Sequence, residues 1–182
     1  MGNFINIGNG FLAKARASKI YVDKSMLISL TNEAIGTENN LLCVSRPRRF
    51  GKSMAANMLC AYYDESCDSK ELFHGLKIED DPSFPKHLNK YPVIKIDLAW
   101  FISDQREKKD IVGKLTVAIL DEFRETYGDF LTEKQNTVAL AVAKVYEKTG
   151  KRFVFIIDEW DALFREYPHD TKEQESYLDF LR

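Results

Sequence analysis

The sequence predicts an α/β fold in which a parallel sheet is flanked by helices. Two apolar runs of strand length, Tyr91–Leu98 and Arg152–Ile157, alternate with stretches that have helical periodicity. The run Arg152–Ile157 is rich in β-branched and aromatic residues, which is typical of a fully buried central strand of a parallel sheet. With 182 residues, the chain is long enough for one domain with a sizeable core.

The first part of the chain is predicted to be an extension that leads into the sheet. We expect residues 1–40 to form an N-terminal extension and helix, and residues 41–182 to form the core. Asp23 is placed to cap a helix over Lys24–Ala34. The short apolar run Leu41–Val44 is long enough for a buried strand, and Pro92 stands at the entrance of the next one.

The remaining stretches of helical periodicity lie before and after the apolar run Arg152–Ile157 in the chain, and each predicts a helix. Gly150 stands where a helix stop is expected before Arg152. The predicted helical stretches are Ser53–Tyr63, a short piece at Glu71–Leu76, Gln105–Thr126, Glu133–Thr149 and Asp170–Arg182.

Composition excludes several classes of protein. The formal net charge is −2, so the chain as a whole is not a polyanion binder, and we find no zinc or helix-turn-helix module for sequence-specific DNA binding. The three cysteines are odd in number, which favours reduced thiols in the cytoplasm, and Cys60, Cys67 and His74 match no zinc-ligand spacing. No signal peptide or membrane-spanning run is apparent, so we expect a cytoplasmic protein.

The segment between the predicted strand Leu41–Val44 and the predicted helix Ser53–Tyr63 carries the first chemical motif. Backbone N–H groups at a helix start bind phosphates, since they are unsatisfied and the helix dipole favours anions. Gly51 allows close approach, Lys52 supplies a cation, and Ser53 supplies a hydroxyl for Mg²⁺. The predicted nucleotide contacts are Arg46, Pro47, Arg48, Arg49, Phe50, Gly51, Lys52, Ser53 and Met54.

The motif differs from the usual P-loop pattern, because Arg46 occupies the first glycine position. On this pattern alone, Gly51-Lys52-Ser53 could be no more than a capped helix start. The loop arginines could contact phosphate, pair with acids across a cleft, or form a solvated basic loop.

A second motif ends the run Arg152–Ile157, where two acids follow in sequence. Asp158 at a strand end is suited to hold Mg²⁺ together with Ser53, and Glu159 to polarise an attacking water. The alternative is that Asp158 only caps a helix that begins near Asp161. Two such motifs in this order, each after a strand, predict an ATP·Mg²⁺ site at the carboxyl ends of the strands, with Lys52 and Glu159 as catalytic residues.

These motifs carry a family resemblance that covers the chain from about residue 10 to its end. The stretch Arg46–Ser53 (RPRRFGKS) resembles the AAA-ATPase-like family of bacteria and archaea, in which arginine replaces the first glycine. Four further stretches match it: Tyr21–Ser25 (YVDKS), Glu71–Ile78 (ELFHGLKI), Tyr91–Ile94 (YPVI) and Ile156–Asp161 (IIDEWD). The family usually has Tyr at the position of Trp160.

The resemblance implies a P-loop NTPase fold of the ASCE/AAA-like type, with Tyr91–Leu98 as the strand inserted between the Walker A and Walker B strands. It also implies a later strand between Leu41–Val44 and Arg152–Ile157, so we expect a chain truncated after the Walker B strand and marginally stable on its own. The resemblance further implies that many full-length relatives are fused to a C-terminal nuclease-like domain of the PD-(D/E)xK type, and we expect no part of that domain within these 182 residues.

Three functions are consistent with the sequence. The first is an ATPase that hydrolyses ATP as a switch or motor for an unidentified partner, with Arg165 and the loop arginines as candidate arginine fingers. The second is a nucleotide-binding or nucleic-acid-binding module without turnover. The third is a small-molecule kinase, although no arginine-rich lid is found. The oligomeric state is not predicted.

Overall fold

A computed structural model describes residues 2–45, 47, 49–107 and 109–182. In these residues the strands are β1 (Val93–Asp97) and β2 (Val154–Asp158). The α-helices are α1 (Gly10–Arg16), α2 (Met26–Ala34), α3 (Lys52–Tyr63), α4 (Phe84–His87), α5 (Leu98–Asp104), α6 (Ile111–Tyr127), α7 (Val138–Thr149), α8 (Ala162–Glu166) and α9 (Thr171–Leu181). Short 3₁₀ turns lie at Lys70–Phe73, Lys77–Asp80 and Gly128–Phe130.

The two strands pair in parallel, as the alternation of strands and helices predicts. Val93 lies opposite Val154 and Asp97 lies opposite Asp158, so both strands end in an acid at the same edge of the sheet. Alternate residues face opposite sides, and this divides the interior into two apolar clusters. Ile94 and Ile96 face the cluster built on α5 to α9, whereas Val93 packs in the cluster built on α1 to α3.

The start of the chain pairs with β1 along the side that β2 does not occupy. Ile5 forms an antiparallel bridge with Ile94, and the backbone N–H of Lys95 donates to the carbonyl of Phe4 (2.8 Å). The buried Glu122 on α6 accepts hydrogen bonds from the backbone N–H groups of Asn3 (3.1 Å), Phe4 (3.0 Å) and Ile5 (2.7 Å). Phe4 and Ile5 are therefore packed into the core, and the Glu122 carboxylate acts as a clamp on residues 3–5.

Several predicted elements are confirmed with shifted ends. Helix α3 begins at Lys52, and α9 occupies the predicted C-terminal stretch with Asp170 as its cap. Helix α6 begins at Ile111 rather than Gln105, and residues 98–104 form the separate helix α5. Helix α7 begins at Val138, and the Thr137 hydroxyl accepts from the backbone N–H of Leu140 (3.2 Å).

Two strand predictions are wrong. The run Leu41–Val44 lies outside any strand and is exposed, with Leu41 at 92% exposure. A strand needs a partner for its backbone groups, and apolar composition alone supplies none. Strand β2 is also not fully buried, because Phe155 is 45% exposed and, within the described residues, only β1 pairs with it.

The helix predicted over Lys24–Ala34 begins at Met26, two residues later than a cap at Asp23 requires. Asp23 accepts from the backbone N–H of Ser25 (2.8 Å) and from that of Lys77 (3.0 Å), and α2 begins only at Met26. Asp23 therefore fastens the segment before the helix to a distant turn instead of capping the helix. None of the helices in the part of the chain described is long and apolar enough to cross a membrane.

Candidate nucleotide site

The predicted motifs meet at one edge of the sheet. A cleft of about 320 Å³ is lined by Arg49, Gly51, Lys52, Ser53, Met54 and Glu159. Five of these residues come from the 46–53 loop and the start of α3, and Glu159 comes from the turn after β2. A larger hollow of about 520 Å³ at Thr132–Gln135 and Lys144 contains none of the predicted site residues. We place the candidate site in the smaller cleft, where the lysine and the acid converge.

The local backbone explains how the loop reaches the helix. Gly51 has a φ of 77° and immediately precedes α3, and Arg49 also has a positive φ of 68°. A left-handed conformation at this point costs glycine little, whereas a residue with a Cβ is strained there. Lys52 is the first residue of α3 and lines the cleft, so the cleft lies at the helix start, where the first N–H groups have no carbonyl partner within the helix.

The acid at the end of β2 is buried and incompletely satisfied. Asp158 is 5% exposed, and its Oδ1 accepts from the backbone N–H of Glu159 (3.0 Å). Its Oδ2 is buried and has no hydrogen-bond partner among the described residues. Asp158 does not cap α8, which contradicts the alternative interpretation of this residue. A buried carboxylate oxygen without a donor is costly, and it matches the ligand that a hard cation such as Mg²⁺ prefers.

Glu159 is held in an uncommon conformation. Its φ is 51°, which is rare for a residue with a side chain. The Oε2 of Glu159 accepts from the Nη2 of Arg165 (2.8 Å), and Arg165 also pairs with Asp161 (2.5 Å). The hydrogen bond from Arg165 and the positive charge of Arg165 lower the pKa of Asp161, with a smaller contribution from the charge of Lys52, although desolvation opposes this. Arg165, a candidate arginine finger in the sequence, thus binds acids of its own chain.

Strand β1 ends in a second acid with a different environment. Asp97 lies opposite Asp158 in the sheet register. Its Oδ1 accepts from the backbone N–H of Trp100 (2.9 Å), so it caps α5. Of the two acids at this edge, only Asp158 has a buried oxygen that lacks a donor among the described residues.

Part of the predicted contact set lies outside the described residues. Arg46 and Arg48 belong to this group, whereas Pro47 and Phe50 are described and exposed. One contact of the loop was missed by sequence reasoning: the ammonium group of Lys24 donates to the carbonyl of Phe50. The sequence shows Lys24 within the stretch YVDKS, but nothing local connects it with a loop 26 residues away.

The fold and this edge define an α/β protein with a small parallel sheet flanked by helices and a glycine-lysine-serine loop that opens a helix. A family model described as "Predicted AAA-ATPase" matches residues 9–182, so the chain belongs to the AAA-ATPase-like family. Membership confirms the resemblance seen in the sequence and suggests an ATP-binding, ATPase-like function. It does not identify the role or the partner.

A curated relative supports the match but adds no function. The chain is 27% identical over 120 residues to the "Uncharacterized protein in vnfD 5'region" of Azotobacter chroococcum mcd 1. The match covers 65% of this chain and 22% of the relative, so the chain corresponds to about a fifth of that protein. No solved structure matches the chain.

Proposed function

We propose that this chain binds ATP·Mg²⁺ in the cleft between the 46–53 loop and the end of β2, and that it serves an ATPase acting as a switch or motor. One observation carries the proposal. Gly51, Lys52 and Ser53 share a cleft with Glu159, and the residue before Glu159, Asp158, has a buried Oδ2 that lacks a donor among the described residues.

Each residue has a role that follows from its chemistry. The backbone N–H groups at the start of α3 and the ammonium of Lys52 would bind the phosphates. Ser53 and Asp158 would hold Mg²⁺, which neutralises charge on the phosphate oxygens when it is bound. Arg49, Phe50 and Met54 would border the nucleotide.

In the hydrolysis step, the carboxylate of Glu159 would accept a hydrogen bond from a water and orient it toward the γ-phosphorus. The new bond joins the water oxygen to phosphorus, and the bond to the β–γ bridging oxygen breaks. The water protons are shared between phosphate and solvent, and the products are ADP and inorganic phosphate.

A second candidate function is nucleotide binding without turnover. The observation that favours it is the hydrogen bond between Glu159 and Arg165 (2.8 Å), which occupies the carboxylate needed for the water. Nucleotide could bind to the loop without this pair opening, whereas hydrolysis requires the carboxylate to face the γ-phosphate.

The test compares binding and phosphate release in one set of proteins. We expect calorimetry to detect ATP binding that Mg²⁺ strengthens, and Lys52→Ala to abolish it. Lys90→Ala is the matched control, because Lys90 is exposed and precedes β1 at the opposite end of the strands. Unchanged affinity in the Lys52 variant would refute the site. Phosphate release separates the two candidate functions, since an ATPase releases phosphate from ATP whereas a binding module binds the nucleotide without releasing phosphate.

A further inference from the structure

The stretch YVDKS has no role in the proposed mechanism, although the structure brings it to the loop. Within it, the Lys24 ammonium donates a hydrogen bond to the carbonyl of Phe50, the residue before Gly51. A Cβ built on Gly51 would lie 3.0 Å from the Lys24 Nζ. Lys24 therefore packs directly against the backbone at the point where the loop turns into α3.

The segment that carries Lys24 is fixed on both sides of it. The carboxylate of Asp23 accepts from the backbone N–H of Lys77 (3.0 Å). Ser25 is fully buried, and its hydroxyl accepts from the backbone N–H of Ile78 (3.2 Å). These hydrogen bonds tie the segment to the 3₁₀ turn Lys77–Asp80, so the backbone on both sides of Lys24 is held in place.

Tyr21 ties the same segment to the helix that the loop opens. Its ring packs against the cluster that contains α3, and its hydroxyl lies 4.0 Å from the Met58 sulfur on that helix. The Arg16 guanidinium carbon lies over the face of the ring, 5.0 Å from its centroid. The base of Lys24 and the start of α3 therefore belong to one packed unit.

The contact with the Phe50 carbonyl has a consequence for the next N–H group. A trans peptide is planar, and its C=O and N–H point in opposite directions. When Lys24 fixes the Phe50 carbonyl, it also turns the Gly51 N–H away from itself. That N–H belongs to the group of donors that a helix start offers to a phosphate.

We propose that Lys24 is a positioning residue for the phosphate-binding loop, which orients the Gly51 N–H toward the phosphates without touching them. This inference rests on the proposed nucleotide site. It assigns the stretch YVDKS a function: it is a brace that holds the loop in its binding conformation before nucleotide arrives. An ammonium group is suited to this, because it donates strongly to a carbonyl and cannot accept the N–H groups intended for the ligand.

The test uses Lys24→Met, Lys24→Arg and Lys19→Met, with Mg·ATP and Mg·ADP as ligands. Lys19 is an exposed lysine shortly before the same segment and serves as the control for lost charge. We expect Lys24→Met to lower the affinity for both nucleotides by the same factor, about fivefold to tenfold. This corresponds to the loss of one exposed charge-assisted hydrogen bond. Lys24→Arg should restore most of the affinity, since a guanidinium can also donate to the carbonyl.

A second measurement reports orientation in the absence of nucleotide. The amide resonance of Gly51 should move in Lys24→Met and not in Lys19→Met, while the melting temperature of both variants stays close to that of the parent. A loss of ATP affinity much larger than that of ADP would contradict positioning and assign Lys24 a direct contact with the γ-phosphate. Unchanged affinity for both nucleotides would refute the brace and leave the proposed site standing. If the parent chain and Lys52→Ala both fail to bind, the proposed function itself is refuted, and the brace with it.

Discussion

Asp158→Asn should separate the stability of the folded chain from its response to magnesium. In the absence of ligand, the buried Oδ2 of Asp158 has no donor among the described residues. The amide keeps an oxygen for the Glu159 N–H and replaces a buried anionic oxygen with a neutral group. An unsatisfied neutral group costs about 1–3 kcal/mol and a charged one more. The variant should therefore be as stable as the parent, or more stable by about 1 kcal/mol.

The response to ligand should change in the opposite direction. At a Mg·ATP concentration about 100 times Kd, binding stabilises the parent by about 2.7 kcal/mol. If the lost carboxylate weakens binding about 100-fold, the same concentration stabilises the variant by only about 0.4 kcal/mol. For a chain of this size, 1 kcal/mol shifts the melting temperature by about 2–4 °C, so thermal melts with and without Mg·ATP resolve both effects.

The matched control is Asp97→Asn, at the same end of the neighbouring strand. Asp97 already accepts from the Trp100 N–H, and asparagine preserves such a cap. This variant should keep the response to magnesium. A parent-like magnesium response in Asp158→Asn, combined with a loss of stability above 1 kcal/mol, would show that Asp158 is a structural acid and not a metal ligand.

Four further predictions concern the site, the fold and the surface. Glu159→Gln should keep Mg·ATP affinity and lose phosphate release; equal losses in both assays would contradict its role as the residue that orients water. Arg165→Met should raise phosphate release by up to about fivefold, since an exposed ion pair contributes up to about 1 kcal/mol, and a fall would instead give Arg165 a part in the transition state. Glu122→Gln should lower the free energy of unfolding by about 2 kcal/mol in urea titrations, whereas the exposed Glu125→Gln on the same helix should not; equal midpoints would disprove the clamp on residues 3–5. Footprinting on duplex DNA at physiological salt should show no protected sequence, in keeping with the net charge of −2, and a discrete footprint would overturn this expectation.

The sequence predicted those parts of the fold that depend on local pattern. Helix α3 follows from periodicity, and the parallel pair of strands follows from alternation of element types. The prediction for Leu41–Val44 was wrong because strand formation depends on a partner, and an apolar run does not reveal whether one is present. The partial exposure of Phe155 has the same cause.

For the candidate site, the sequence identified residues but not their partners. Gly51, Lys52, Ser53 and Glu159 line one cleft, as the order of the two motifs suggested. The pairing of Glu159 with Arg165 could not be predicted, because Glu159 lies in the turn before α8, Arg165 lies within α8, and no helical spacing relates them. The site roles of these residues stay predictions until the variants are measured.

The clamp on residues 3–5 has a consequence for the order of events during synthesis. Ile5 and the carboxylate that holds it are 117 positions apart in the chain. At about 5–20 residues per second, translation takes roughly 6–25 seconds to travel from one to the other. Until β1 (Val93–Asp97) has been made, this apolar segment has no strand to pair with, and throughout the interval it lacks the carboxylate of Glu122. We expect slower translation before Glu122 to lengthen the time for which this segment is exposed, and a chaperone that binds apolar segments on the ribosome to bind it more.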